Sequence, residues 1–278
     1  MLRLLVQPHC RFNEPERIDE ERKSMRNIVL HYHIFKNAGS TVRSILENNF
    51  AGLCGDVEGT NPWDTIESER ILQYAFDHPD LKVISTHHGR PPVPVNRTIT
   101  FHPVIFLRHP IDRAGSVYSF EHRQAMDSPS LGVKIAIAQD LAGYVRWRLT
   151  EGNGAVIKNF HTVVLAGREK DMRTATASYR DLEIAKEWLK SVPFFGLVES
   201  FDTSLSRMRS YLSQYVGDIN PSFSIQNSSP DRKDTIQDRL QEIEEMLGHD
   251  LYKELIDKNA LDMELYNFAR ELFDQYPK

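Results

Sequence analysis

The chain has little cysteine, no long apolar run and no strong excess of either charge. Only two of its 278 residues are cysteines, Cys10 and Cys54. This number is too small for a disulfide framework, and we expect both thiols to be free, as is usual in a reducing compartment. No stretch approaches the ~20 apolar residues that span a bilayer, and the apolar run that opens the chain is too short for a signal sequence. These absences predict a soluble cytoplasmic enzyme with no membrane partner.

The charge balance argues against a partner that is bound through the overall field of the protein. The formal net charge is -5 at pH 7, whereas proteins that bind nucleic acid in this way are basic. The composition, 40% hydrophobic and 26% charged, is that of an ordinary globular protein. We expect a single domain over residues 1–278, with a core from about residue 27 and an N-terminal extension over residues 1–26.

Strands and helices alternate along the chain. The predicted strands cover residues 27–35, 81–86, 102–107 and 194–198. Helices are predicted after Ser40, from Pro110, and at about 65–76, 134–149, 179–189, 203–215, 235–247 and 260–273. This alternation predicts an α/β fold of three layers, with a mainly parallel central sheet flanked by helices. Such sheets bind ligands at the carboxyl ends of their strands, where Lys36, His87 and Arg108 are expected to lie.

The segment HIFKNAGSTV, between the first strand and the first helix, has the composition of a phosphate-binding loop. Its small residues Ala38 and Gly39 let backbone N–H groups approach an anion, and the following helix N-terminus adds a favourable dipole. Lys36 supplies a positive charge, while Ser40 and Thr41 supply hydroxyl donors. The alternative interpretation is a plain strand-to-helix turn with a capping serine.

The order of residues in this loop differs from that of magnesium-dependent nucleotide-binding loops. Those loops end in Gly-Lys-Ser/Thr, whereas here Lys36 precedes Gly39. A strand that could carry a magnesium-binding acid instead ends in Arg108, which would repel a metal and attract a second phosphate. The sequence therefore predicts a P-loop-like fold with a metal-free site for a nucleotide that carries an extra phosphate.

Two segments together resemble sulfotransferases that use 3'-phosphoadenosine 5'-phosphosulfate. KNAGST is similar to the family's Lys-Thr-Gly-Gly-Thr loop, with Asn37 and Ala38 in place of the commoner Thr and Gly. LRHPIDRAGSVYSF resembles the family's 3'-phosphate motif, in which an arginine ends a strand and a serine follows eight residues later, here Arg108 and Ser116. The resemblance is greatest to the branch of heparan sulfate 2-O- and 6-O-sulfotransferases and bacterial relatives. It extends to FFGLVESFDTSL and to NALDMELYNFARELF near the C-terminus.

The resemblance implies in-line transfer of a sulfuryl group to a hydroxyl or amine of a small-molecule or carbohydrate acceptor, with no metal. The backbone of residues 37–41 would hold the 5'-phosphate, and Arg108 and Ser116 would hold the 3'-phosphate. Lys36 would stabilise the leaving phosphate.

The segment VISTHHG is similar to the family segment that carries the catalytic histidine. His87 falls on that position if Thr86 replaces the usual glycine, and His88 is the alternative. Histidine is suited to the role of general base because its ordinary pKa lies near neutrality. We expect one of the two histidines to be structural.

A second loop, NSSPDRK at residues 227–233, lies where relatives have a segment that closes over the nucleotide. Ser228, Ser229 and Arg232 are therefore candidate nucleotide contacts. The alternative interpretation is a capping loop before the helix that starts at Thr235.

Other functions stay open at this point. His31 and His33 face the same side of the first strand and could in principle bind a metal, but no third ligand at a supporting spacing is evident, so we favour core roles. Two alternatives to the sulfotransferase remain: a nucleotide-dependent kinase with a degenerate loop, and a nucleotide-binding protein without catalysis.

Overall fold

The computed structural model describes residues 25–167, 175–222 and 233–275. Its strands are β1 (Arg26–Tyr32), β2 (Cys54–Asp56), β3 (Val83–Thr86), β4 (Ile99–Leu107) and β5 (Gly196–Leu197). They form one parallel sheet in the order β2-β3-β1-β4-β5. This arrangement confirms the predicted α/β fold with a parallel central sheet.

The helices of the described residues are α1 (Gly39–Asn49), α2 (Ser68–Asp77), α3 (Pro110–His122), α4 (Leu131–Ala138), α5 (Leu141–Leu149), α6 (Phe160–Leu165), α7 (Tyr179–Ser191), α8 (Phe201–Val216), α9 (Ile236–Leu247), α10 (His249–Lys258) and α11 (Ala260–Gln275). None of these helices is long and apolar enough to cross a membrane.

Side chains alternate across the sheet, so each strand contributes to two cores. Ile28 and Leu30 of β1 pack in the core that contains α2, α6, α7 and α11. Val29 packs on the opposite face with α1 and α8. A third cluster joins α3, α4, α5, α9 and α10. The sheet is therefore the middle of three layers, as predicted.

Several predicted boundaries differ from the structure. The helix predicted over residues 134–149 is two helices, because the Asp140 carboxylate caps a new helix by accepting the N–H of Gly143 at 2.8 Å. The start predicted at Thr235 is confirmed, since its hydroxyl caps α9. We did not predict β2, α6 or α10, and the first two have only three and six residues.

Candidate functional site

The loop between β1 and α1 turns through two left-handed residues. Lys36 has a φ of 66° and Ala38 a φ of 60°, a conformation that costs a residue other than glycine roughly 1 kcal/mol or more. Such turns point successive backbone N–H groups into a concave surface. The N–H groups of Ala38, Gly39 and Ser40 donate to no residue in the described ranges. Three unused donors therefore lie at the positive end of a helix, where anions bind.

Gly39 is required by the close approach of a histidine ring. A Cβ added at Gly39 would overlap the ring of His33, which lies directly against the loop. Because Gly39 already has a helical backbone, the position needs the absence of a side chain and makes no use of glycine's conformational freedom.

Asn37 lies in this loop, but its polar groups point into the protein. Its N–H donates to the Ile34 carbonyl at 3.1 Å. Its side chain is 1% exposed and donates to the Phe106 carbonyl at 2.7 Å and to Nε2 of His161 at 2.8 Å. The residue therefore ties the loop to the end of β4 and to α6, while its predicted backbone contact with a phosphate stays a prediction.

Thr41 lies at the start of α1. Its N–H donates to the Ala38 carbonyl at 3.0 Å, as part of the first turn of α1, and the residue is buried. Within the segment predicted to bind phosphate through its backbone, the N–H groups of Ala38, Gly39 and Ser40 are those that donate to no described residue.

Asn37 is held by a buried pair of ionisable residues, His161 and Asp262. Burial, reinforced by the positive charge of Arg113, holds the pKa of His161 well below its usual value, so the ring is neutral and Nε2 can accept the bond from Asn37. The Asp262 carboxylate accepts the backbone N–H groups of His161 at 2.9 Å and Thr162 at 2.8 Å. Its Oδ2 lies 3.4 Å from Nδ1 of His161. The sequence analysis missed this network.

Arg108 follows β4, as predicted, and contacts the loop directly. Its Nη1 donates to the Lys36 carbonyl at 3.2 Å, and its Nε donates to Asp112 at 2.7 Å. Arg239 of α9 donates from Nε to the other oxygen of Asp112 at 3.2 Å. Two arginines therefore share one buried carboxylate beside the loop. The sequence analysis did not identify Arg239, because its position depends on how α9 packs against α3.

Ser116 shares a face of α3 with Asp112 and Phe120, since residues four apart on a helix lie on one side. Nζ of Lys36 lies 4.5 Å from the centroid of the Phe120 ring. The Phe35 ring contacts the same phenylalanine, with 5.4 Å between centroids. The loop therefore contacts the face of α3 that also carries Ser116.

His87 follows β3 and is oriented by a carboxylate that the sequence analysis missed. Its backbone N–H donates to both oxygens of Glu58, at 2.9 and 3.0 Å, and its Nδ1 lies 2.8 Å from Oε1. Burial alone would raise the pKa of Glu58, but the hydrogen bonds from His87 and His88 outweigh it and hold the pKa well below its usual value. The ionised carboxylate places a proton on Nδ1 and leaves Nε2 of His87 to accept one.

His88 binds the same carboxylate but is less accessible. Its Nδ1 lies 2.7 Å from Oε2 of Glu58, and its side chain is 15% exposed, against 47% for His87. The Gly59 N–H also lies 3.0 Å from Nδ1 of His88. We assign the proton to Nδ1, because an ionised oxygen at 2.7 Å is the stronger partner.

The strand order brings these groups to one edge of the sheet. The carboxyl ends of β2, β3, β1 and β4 are neighbours and are followed by Glu58, His87, the loop and Arg108 respectively. The chain leaves β1 toward β2 on one side, and β4 lies on the other side. The loop therefore occupies the switch point at which ligands bind in parallel sheets.

The remaining candidates are the residues of the second loop and a metal site. Ser228, Ser229 and Arg232 lie outside the described residues. Within the described ranges, no group of three or more His, Cys, Asp or Glu side chains could hold a metal ion.

The fold is that of an α/β protein with one parallel sheet and helices on both faces. The chain is 34% identical over 260 residues to an uncharacterized protein of Archaeoglobus fulgidus, an alignment that covers 90% of this chain and 98% of the archaeal one. The chain therefore belongs to the same family as that archaeal protein. No model of a known protein family matches the chain.

Proposed function

We propose that the protein transfers a sulfuryl group from 3'-phosphoadenosine 5'-phosphosulfate to a hydroxyl or amine of a small-molecule or carbohydrate acceptor. The observation that carries the proposal is the set of unused N–H groups at Ala38, Gly39 and Ser40, with Lys36 and Arg108 beside them. Backbone donors at a helix N-terminus suit a phosphate. The sequence resemblance of this loop and of the Arg108 segment to sulfotransferases supplies the identity of the donor.

The charges around the loop favour a nucleotide with more than one phosphate. Lys36, Arg108 and Arg239 bring three positive charges, and Asp112 returns one negative charge, so the group has a net charge of about +2. In the proposal, Arg108 and Ser116 hold the 3'-phosphate, and the three amides hold the 5'-phosphate.

The same charges disfavour the kinase alternative. A magnesium-dependent kinase needs a carboxylate that is available to the metal. Asp112, the carboxylate bound to Arg108 beside the loop, is held by two arginines at 2.7 and 3.2 Å. A carboxylate neutralised in this way is a poor ligand for a divalent cation.

His87 is the proposed base, with Glu58 as the group that orients it. The acceptor oxygen or nitrogen forms a bond to sulfur while its proton passes to Nε2 of His87. The bond between sulfur and the 5'-phosphate oxygen breaks, and Lys36 stabilises the charge that develops on that oxygen. We favour His87 over His88 because its side chain is the more exposed of the two.

Calorimetry tests the donor without knowledge of the acceptor. We expect 3'-phosphoadenosine 5'-phosphate to bind without metal, and ATP with magnesium not to bind. Binding of ATP with magnesium alone would overturn the proposal in favour of the kinase.

Turnover with radiolabelled donor and a panel of acceptors tests catalysis. Lys36→Ala should lower turnover of any acceptor found, and Lys253→Ala, which removes an exposed lysine of α10, is the matched control. If Lys36→Ala left turnover unchanged, the leaving-group role would be wrong. If the product nucleotide bound and no acceptor on a broad panel reacted, the result would favour a nucleotide-binding protein without catalysis.

A further inference from the structure

Three histidine rings form a stack on the face of the sheet that α1 covers. The ring centroids of His31 and His33 are 5.2 Å apart, with 24° between the planes. Those of His33 and His87 are 3.9 Å apart, with 29° between the planes. The stack runs from the buried His31 to the half-exposed His87.

The pairing of β1 with β3 creates this stack. Tyr32 is aligned with Thr86, and the His33 N–H extends the pairing by donating to the Thr86 carbonyl at 2.9 Å. The next residues, His33 and His87, are therefore side by side on neighbouring chains. Because side chains alternate across a strand, both rings lie on the side opposite Tyr32.

The ring of His33 also lies against the phosphate loop. It lies so close to Gly39 that a Cβ there would overlap its Cδ2 and Nε2 atoms. The ring of His33 therefore contacts both the backbone of the loop and the ring of His87. Its position and orientation influence how far His87 lies from the N–H groups of the loop.

The environment of His33 keeps its ring uncharged. Burial, reinforced by the neighbouring His87, Arg43 and Lys36 and partly opposed by Glu58, lowers its pKa to about 3. The buried ring of His31 also stacks on His33. The imidazole of His33 forms no hydrogen bond with the part of the chain that the structure describes. Shape and position are what this side chain contributes.

We propose that His33 is a positioning residue, a neutral aromatic spacer that sets the distance and angle of His87 relative to the phosphate loop. The inference rests on the proposed function, because it takes His87 as the base. It predicts that an aromatic ring at position 33 is required and that an ionisable ring is not. A change that removes the spacer should act on turnover more than on donor binding.

Replacement by phenylalanine and by alanine separates the spacer role from a catalytic one. We expect His33→Ala to lower kcat roughly 100-fold, since small misplacements of reacting groups have effects of that order. His33→Phe should retain most of the turnover and keep the acid limb of the pH profile in place. If His33→Phe were as inactive as His87→Ala, or if it displaced the acid limb, His33 would be a base and the proposal would be wrong.

A second measurement does not depend on the acceptor or the donor. Modification of His87 by diethyl pyrocarbonate, followed by mass spectrometry, reports how well its ring is held and covered. We expect several-fold faster modification in His33→Ala and an unchanged rate in His33→Phe. Equal rates in all three proteins would overturn the spacer role even if the chain proved to be a sulfotransferase. Absence of sulfuryl transfer, with the modification rates as expected, would instead refute only the proposed function.

The chain offers a matched control for the loss of a stacked histidine. His102 of β4 stacks on Tyr215, with 4.1 Å between centroids and 24° between the planes. It precedes Arg108 by six residues, so it lies far back along the strand from the site. His102→Ala should change neither the kcat nor the modification of His87. A loss of kcat as large as that of His33→Ala would show a general loss of stability and overturn the specific role.

Discussion

The bond between Asn37 and His161 makes a sharp test of how the phosphate loop is held. Asn37→Ala would remove the donor that serves both the Phe106 carbonyl and Nε2 of His161. Asn37 is 1% exposed and His161 is 2% exposed, so water cannot readily replace the lost bonds. An unsatisfied buried polar group costs about 1–3 kcal/mol. Two such groups should lower the free energy of unfolding by about 2–6 kcal/mol.

A double-mutant cycle isolates the contact itself. His161→Leu removes the ring acceptor but leaves the bond from Asn37 to Phe106. If the two side chains support each other, the effects of Asn37→Ala and His161→Leu should fail to add by about 1 kcal/mol or more. Urea unfolding at pH 7, followed by tryptophan fluorescence, measures each corner of the cycle. Additivity within about 0.5 kcal/mol would refute the coupling.

Asn49→Ala is the matched control for the loss of an asparagine that bridges two carbonyls. Its amide nitrogen donates to the Ile45 carbonyl at 2.8 Å and to the Asn220 carbonyl at 2.9 Å, and its Oδ1 accepts the Asn220 N–H at 2.8 Å, but the residue is only half-buried. Water can satisfy the groups that it leaves, so we expect a loss of about 1 kcal/mol or less. A loss as large as that of Asn37→Ala would mean that burial is not the cause.

Three further predictions concern the loop, the donor and the pH dependence. Gly39→Ala should lower the free energy of unfolding by about 1–3 kcal/mol, because the added Cβ overlaps His33. A second substitution in the same chain, His33→Ala, should restore the stability but not the turnover. If Gly39→Ala alone were as stable as the parent, the overlap would be contradicted. Ser116→Ala should weaken binding of 3'-phosphoadenosine 5'-phosphate by about 1 kcal/mol and leave adenosine 5'-phosphosulfate unaffected, as measured by calorimetry; equal losses for both ligands would refute a 3'-phosphate role. Burial lowers the pKa of His102 to about 4, below the ~6.5 of an unfolded chain. The stability that this neutral ring contributes is therefore present above pH 6.5 and lost as the pH falls toward 4, and solvent screening keeps the slope below about 1.4 kcal/mol per pH unit. His102→Gln should reduce the pH slope of unfolding, and parallel slopes for variant and parent would contradict the prediction.

The parts of the site that could be predicted lie in single segments of the chain. The loop around Gly39 joins a strand to a helix within a few residues, so its composition alone indicates an anion site. Arg108 and His87 each follow a β-rich run, and in a parallel sheet such positions meet at one edge. The segment before Glu58 gave no comparable signal, because β2 has only three residues and its pairing with β3 depends on the rest of the sheet.

The inward turn of Asn37 shows why residue type is not enough. An asparagine in a phosphate-type loop can face the ligand or the protein, and both fit the local sequence. The orientation of the Asn37 side chain depends on Phe106 and His161, which lie 69 and 124 positions away in the chain. Arg239 reaches Asp112 across 127 positions. No local pattern contains information about such pairs.

The sequence by itself determined the class of fold and the location of the loop, because strand and helix periodicity and the Lys36 to Thr41 segment are local properties of the chain. The tertiary structure alone decided which side chains surround that loop. The register of β1 against β3 stacks His33 on His87, and the packing of β2 beside β3 brings Glu58 to the same ring. The physical reason is that register and packing depend on the complementarity of distant surfaces, which the spacing of residues along the chain does not express.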